Sequence, residues 1–66
     1  MIVLRNKETN LYYAAAGGWT PDLEKALKFP DAVRAYIFSK IMDLTHVEIV
    51  IKGEDGEFII PISDTQ

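Results

Sequence analysis

Between His46 and Ile62 the chain reads HVEIVIKGEDGEFIIPI. Val47, Ile49 and Ile51 share one parity, and Phe58, Ile60 and Ile62 share another after the break. A period of two marks strands that each bury one face. The break itself, GEDG from Gly53 to Gly56, is a turn with glycine at both ends. This stretch therefore folds as a β-hairpin, and a hairpin must set its apolar face against something else. Pro61 has no N–H to give to a ladder, which assigns the second strand to a sheet edge.

The N-terminal third repeats the device less clearly. Ile2 to Arg5 is short and β-branched, Asn6 to Asn10 is polar and turn-like, and Leu11 to Ala15 carries two tyrosines. Two such runs around a short polar link predict a second hairpin. Gly17 and Gly18 are expected to stop its second strand, since glycine weakens strand interiors and permits positive φ.

The middle of the chain predicts two helices. Thr20 suits an N-cap, Pro21 suits the first helical position, and Asp22 and Glu24 suit the positive end of the helix dipole. Leu23, Ala26 and Leu27 then fall at helical spacing. Pro30 disfavours helical geometry at Phe29, which limits this first helix to about two turns. Asp31 caps a second helix over Ala32 to Leu44. Val33, Tyr36, Ile37, Ile41 and Leu44 make its stripe, widened by Ala35, Phe38 and Met42. A stripe so broad predicts cover on more than one side. Trp19 is expected to lie as a lid over the core edge. The predicted fold is α+β in two layers, a four-stranded antiparallel sheet with two helices on one face, in the order β-β-α-α-β-β.

Trp19-Thr20-x-Asp22-Leu23-x-Lys25-Ala26-x-x-Phe29-x-Asp31-x-x-x-Ala35 resembles a pattern in small, uncharacterised bacterial and phage proteins. There an aromatic β-hairpin leads into W-T-x-D-L-x-x-A-x-x-F-x-(S/D)-x-x-x-A. What the resemblance implies is a fold element, with core anchors at the apolar positions and caps at Thr20 and Asp31; it implies no activity.

Sixty-six residues make one domain, 1–66, with a polar tail over 63–66. Hydrophobic residues form 48% of the chain, enough for a packed core. There is no cysteine, so neither disulfides nor thiolate metal sites are available. One histidine, His46, rules out the usual zinc site, and the acidic turn Glu54, Asp55 and Glu57 lacks calcium-loop spacing. Ser39 and Ser63 have no second histidine or cysteine chemistry around them, so no catalytic residue and no cofactor are assigned, and the chain is read as no enzyme. Gly17-Gly18 fits neither phosphate-loop pattern. No apolar run approaches the roughly 20 residues of a membrane span, and the N-terminus does not read as a signal peptide. A complete, cytoplasmic gene product is expected.

The remaining function classes concern binding. With Val47, Ile49, Ile51, Phe58, Ile60 and Ile62 turned to the helices, the outer sheet face carries Val3, Val50, Ile59 and one of Tyr12 and Tyr13. These make an apolar patch rimmed by charge, of the kind that marks interaction surfaces. The expected function is a small protein-interaction module, an adaptor, regulator or phage accessory protein, with a protein partner or self-association as a homodimer. Val3, Tyr12, Tyr13, Trp19, Val50 and Ile59 are its candidate residues. The alternative is a nucleic-acid-binding module stacking bases on Tyr12 or Tyr13, against a net charge of −3 that disfavours phosphate backbones.

Overall fold

A computed structural model of the chain describes residues 1–63; Asp64 to Gln66, most of the expected polar tail, lie outside the described residues. The C-terminal hairpin forms as its alternation requires. Strand β4 (Val47–Gly53) pairs antiparallel with β5 (Gly56–Pro61), from Gly53 opposite Gly56 to Glu48 opposite Pro61. Strand β1 (Ile2–Asn6) lies on the other side of β4, with Ile2 opposite Ile51 and Asn6 opposite Val47. Beyond β1 comes β2 (Tyr12–Tyr13), its hairpin partner. Asn6 holds the turn between them, its side-chain oxygen accepting from the N–H groups of Glu8 and Thr9.

From Gly17 to Phe29 the structure corrects the sequence reading. There is no first α-helix, and the sheet has five strands, not four. Gly17 and Gly18, at φ 95° and 77°, turn the chain back on itself. Trp19 and Thr20 then form β3 (Trp19–Thr20), opposite Tyr13 and Tyr12. The strand order is β3-β2-β1-β4-β5, antiparallel throughout. Only Leu23–Lys25 is helical, as one 3₁₀ turn. The Thr20 hydroxyl accepts from the Asp22 N–H and the Asp22 carboxylate from the Glu24 N–H, so both caps close turns.

The cause is length. The run between Pro21 and Pro30 is too short to recover the cost of nucleating a helix. Pro30 holds Phe29 extended. Bridges from Ala26 to Ala14 and from Phe29 to Ile2 take up the backbone groups instead. Pairing with the sheet therefore wins over local helical spacing.

The second expected helix does form, as α1 (Ala32–Ile41), capped by the Asp31 carboxylate on the Arg34 N–H at 2.8 Å. It stops short of Leu44, where Asp43 takes a left-handed φ of 53°. The helix lies across β1 and β4. Its contact face is only part of the expected one: Ala35, Phe38 and Leu44 pack on the core, whereas most of the expected stripe does not. Ala35 and Ser39 are fully buried, with Ala32 and Phe38 partly buried beside them. Small residues let the helix approach the sheet closely, and the Ser39 hydroxyl donates to the Tyr36 carbonyl at 2.6 Å, which satisfies it. Val33, Tyr36, Ile37 and Ile41 stay exposed.

The core is two-sided. Under α1, Leu4, Val47, Ile49, Ile62 and Ala35 make one cluster. On the opposite face Val3, Val50 and Ala26 make another, flanked by Tyr12 and Leu23. The 3₁₀ segment thus covers the sheet face away from α1, so the two covers lie on different faces and not on one.

Candidate interaction surface

The six residues expected to form the surface are scattered by the fold. Val3 and Val50 are wholly buried, because Leu23 and Ala26 lie across them. That removes the centre of the expected patch. Tyr12 is half-buried on the same face, with the Lys52 ammonium 5.9 Å from its ring centre. Tyr13 points to the other face and meets Trp19 and Phe38 edge-on, each at 5.4 Å. Both tyrosine rings are therefore engaged in packing. Trp19 lies on edge strand β3 and Ile59 on edge strand β5, at opposite ends of the sheet.

Trp19 is 38% exposed, a half-open lid against Tyr13. Trp19→Ala is accordingly expected to cost about 1–2 kcal/mol, below the ~3–5 kcal/mol of a fully buried tryptophan. Urea titration followed by circular dichroism measures the difference; a loss at the upper figure would show that the ring belongs to the core.

The polar groups on the face opposite α1 form a chain of ion pairs. Arg5 donates to Glu48 through Nε at 3.0 Å and Nη2 at 2.8 Å, and to Glu57 through Nη1 at 3.3 Å. Lys52 Nζ closes the chain on Glu57 at 2.8 Å. The Glu57 carboxyl is held below its ordinary value, first by the Lys52 hydrogen bond and then by the nearby charges. Lys52 is raised by the same bond. For Arg5, burial pulls the value down, and Glu48 and then Glu57 outweigh it. Each of these four charges has a partner within the network. Among the described residues no cluster of metal-ligating side chains occurs, and no helix is long and apolar enough to cross a membrane. His46 sits just before β4 with φ 60°, its carbonyl accepting from the Lys7 N–H.

The exposed apolar surface lies where the sequence reading had placed core. Val33 and Ile41 are 65% and 76% exposed on the outer side of α1, and Ile37 lies between them. Ile37 and Ile41, with Phe29, Pro30, Arg34 and Phe38, line an open groove of about 420 Å³. A second bare strip is β5. Since α1 lies over β1 and β4, Phe58 remains 75% exposed and Ile60 41% exposed on the helix side. One signal in the sequence points to the first of these. A ten-residue helix that is apolar nearly all round cannot be covered by a single sheet.

Comparison of the chain with protein-family models, with curated proteins and with solved structures gave no match. The class the fold defines is structural: a small α+β domain with, among the described residues, one α-helix on a five-stranded antiparallel sheet.

Proposed function

We propose that the chain is a small non-enzymatic protein-interaction module, an adaptor or regulator working in the cytoplasm, and that it docks its partner on the outer face of α1. One observation supports the reading above the others. Val33, Ile37 and Ile41 project at four-residue spacing from successive turns, beside an open apolar groove. Contiguous exposed apolar surfaces of this kind take protein partners.

The groove also carries a charge for recognition. Arg34 stands at its rim, and among the described residues its guanidinium has no ion-pair partner. The matching partner is an amphipathic helix of another protein, with apolar residues at i, i+3 or i+4 and i+7 and a carboxylate that meets Arg34. Ile37→Glu puts a solvated carboxylate into the groove, where it repels the partner's carboxylate and competes for Arg34. It is expected to weaken such a complex by roughly tenfold or more, with little change in melting temperature because Ile37 is half exposed. The test begins with affinity capture by the wild-type chain and by Ile37→Glu. A protein retained only by the wild type is then purified and titrated by calorimetry against wild type, Ile37→Glu and Arg34→Glu. Restored binding of Arg34→Glu by a carboxylate-to-lysine change in the partner completes the cycle. Equal binding to all three chains, or no retained protein, would overturn the proposal.

A further inference from the structure

Strand β5 is the long open edge of the sheet. All six of its residues are exposed and among the described residues no strand lies beyond it, whereas β3 at the other edge has two residues. The ladder determines which backbone groups of β5 face outward. The Lys52 N–H donates to the Met1 carbonyl and the Lys7 N–H to the His46 carbonyl, so the even-numbered residues of β4 bond to β1. By antiparallel alternation the odd-numbered ones bond to β5. Through the pairs Ile49–Ile60 and Ile51–Phe58, Phe58 and Ile60 bond inward to β4. Glu57, Ile59 and Pro61 turn their backbone groups out. The N–H that Pro61 lacks would have pointed into solvent, so the proline leaves the β4 ladder whole.

We propose that β5 pairs with β5 of a second copy of this chain, antiparallel, about a two-fold axis that passes through Ile59. An axis normal to the sheet is the one that joins two like edges antiparallel. It keeps both α1 helices on one side and sets residues of the same facing opposite each other. With the axis at Ile59, Phe58 lies opposite Ile60 of the second copy, Ile59 meets its own counterpart, and Glu57 meets Pro61. The two Ile59 residues exchange both backbone bonds, and each Glu57 N–H reaches a Pro61 carbonyl. Neighbouring registers are poorer. An axis at Phe58 sets Glu57 against Ile59, and an axis at Ile60 sets Phe58 against Ile62, which is already buried.

Charge and area agree with this arrangement. The register brings the acidic turn Glu54-Asp55 of each copy alongside Ser63 of the other. There the Lys40 ammonium already sits 2.9 Å from the Ser63 carbonyl. Glu57, nearer the axis, is compensated within its own copy by Lys52 and Arg5. Lys40 also places Tyr36, one turn earlier and beneath its ammonium, on the flank of α1 that faces β5. Phe58, Ile59, Ile60 and Tyr36, between 41% and 75% exposed, would together cover on the order of 400 Å² of side chain per copy, at ~200 Å² for each large side chain. With the backbone edge added, the total reaches roughly 1,000 Å², the lower end for a specific interface. An interface of that size belongs with the reversible ones. The dimer closes on itself, since both long edges are consumed and among the described residues only the two-residue β3 edges remain. The outer stripe of α1 points away from the joint, so the dimer and the proposed partner site are independent.

Sedimentation velocity over a wide concentration range tests the dimer. The wild-type chain is expected to pass from monomer to dimer, and Phe58→Lys to raise the dissociation constant roughly tenfold or more. Phe58 is 75% exposed, so that variant keeps its fold. Because the chain has no cysteine, Ile59→Cys adds a single thiol. On the axis the two thiols fall within disulfide reach, and mild oxidation is expected to give a covalent dimer. Val33→Cys, on the outer helix face, is expected to give none. A monomer at every concentration overturns the proposal. So does a dimer untouched by Phe58→Lys, or one that cross-links through Val33→Cys and not through Ile59→Cys. Ile37→Glu separates the two sites: it should leave the sedimentation behaviour unchanged.

Discussion

Leu4→Ala is expected to remove about 2–5 kcal/mol of stability. Leu4 is the largest wholly buried side chain, set in β1 between β2 and β4, and it meets the cluster of Val47, Ile49, Ile62 and Ala35. Truncation there opens a cavity under α1 that neighbours on a central strand cannot collapse to fill. A domain of 66 residues has a total stability of roughly 3–10 kcal/mol, and without cysteines this one has no covalent staple. The variant should therefore be partly unfolded at room temperature, with its urea transition shifted towards zero denaturant. Leu4→Ile keeps the volume and is expected to cost under about 1.5 kcal/mol. Equal transitions for Leu4→Ala and wild type would mean that the cluster beneath α1 is not what holds the sheet.

Arg5→Ala is expected to cost about 1.5–3 kcal/mol, close to the loss of a charge-assisted hydrogen-bonded pair. The Arg5 and Glu48 side chains are 15% and 14% exposed, so their pairing operates with little water between them. Removing the guanidinium leaves the Glu48 carboxylate on a mostly covered strand face. Arg5→Lys should recover only part, because one ammonium cannot reproduce a fork that reaches two carboxylates. The pH dependence has a definite sign. The folded Glu57 carboxyl lies below its ordinary value, so its contribution is present above the unfolded value, near 4.5, and is lost as pH falls through the folded one. Lys52 shifts upward, so its share is present below its ordinary value and is lost as pH rises through the folded one. Urea midpoints measured from about pH 6 down to about pH 3 should fall less steeply for Glu57→Gln than for wild type. Parallel curves would remove Glu57 from the acid response.

The parts of the fold legible in the sequence are those where one signal stands alone. Period-two alternation from Val47 to Ile62 meets no competing pattern, and the hairpin follows. Asp31 before an apolar run caps α1 as its chemistry requires. The stretch from Trp19 to Phe29 carried two signals in conflict. Leu23, Ala26 and Leu27 are spaced for a helix, but the bracketing prolines keep the run short, and open partners on β1 and β2 decide it. The face of α1 was illegible for a different reason. A helix apolar nearly all round offers no clear stripe to read, and the guide is size: Ala35 and Ser39 sit where the sheet comes closest. The candidate patch failed with the missing helix. Val3 and Val50 were assigned to an open face because the segment that covers them had been assigned elsewhere.

The place of β1 in the sheet has a consequence for the order of assembly. Of the described strands the earliest, β1, is the central one, and its neighbour β4 lies more than forty residues later in the chain, with Ile2 waiting for Ile51 and Val3 for Val50. Loop closure on that scale precedes any reward from the long-range pairs. During translation the N-terminal half can make its own short hairpin, but it has no sheet to insert into and no cluster for Leu4. The domain is committed to folding after its last strand is available, as one event and not in stages. A ribosome-stalled fragment ending before Val47 would therefore present Ile2, Val3 and Leu4 bare, without the β4 residues that cover them in the finished sheet.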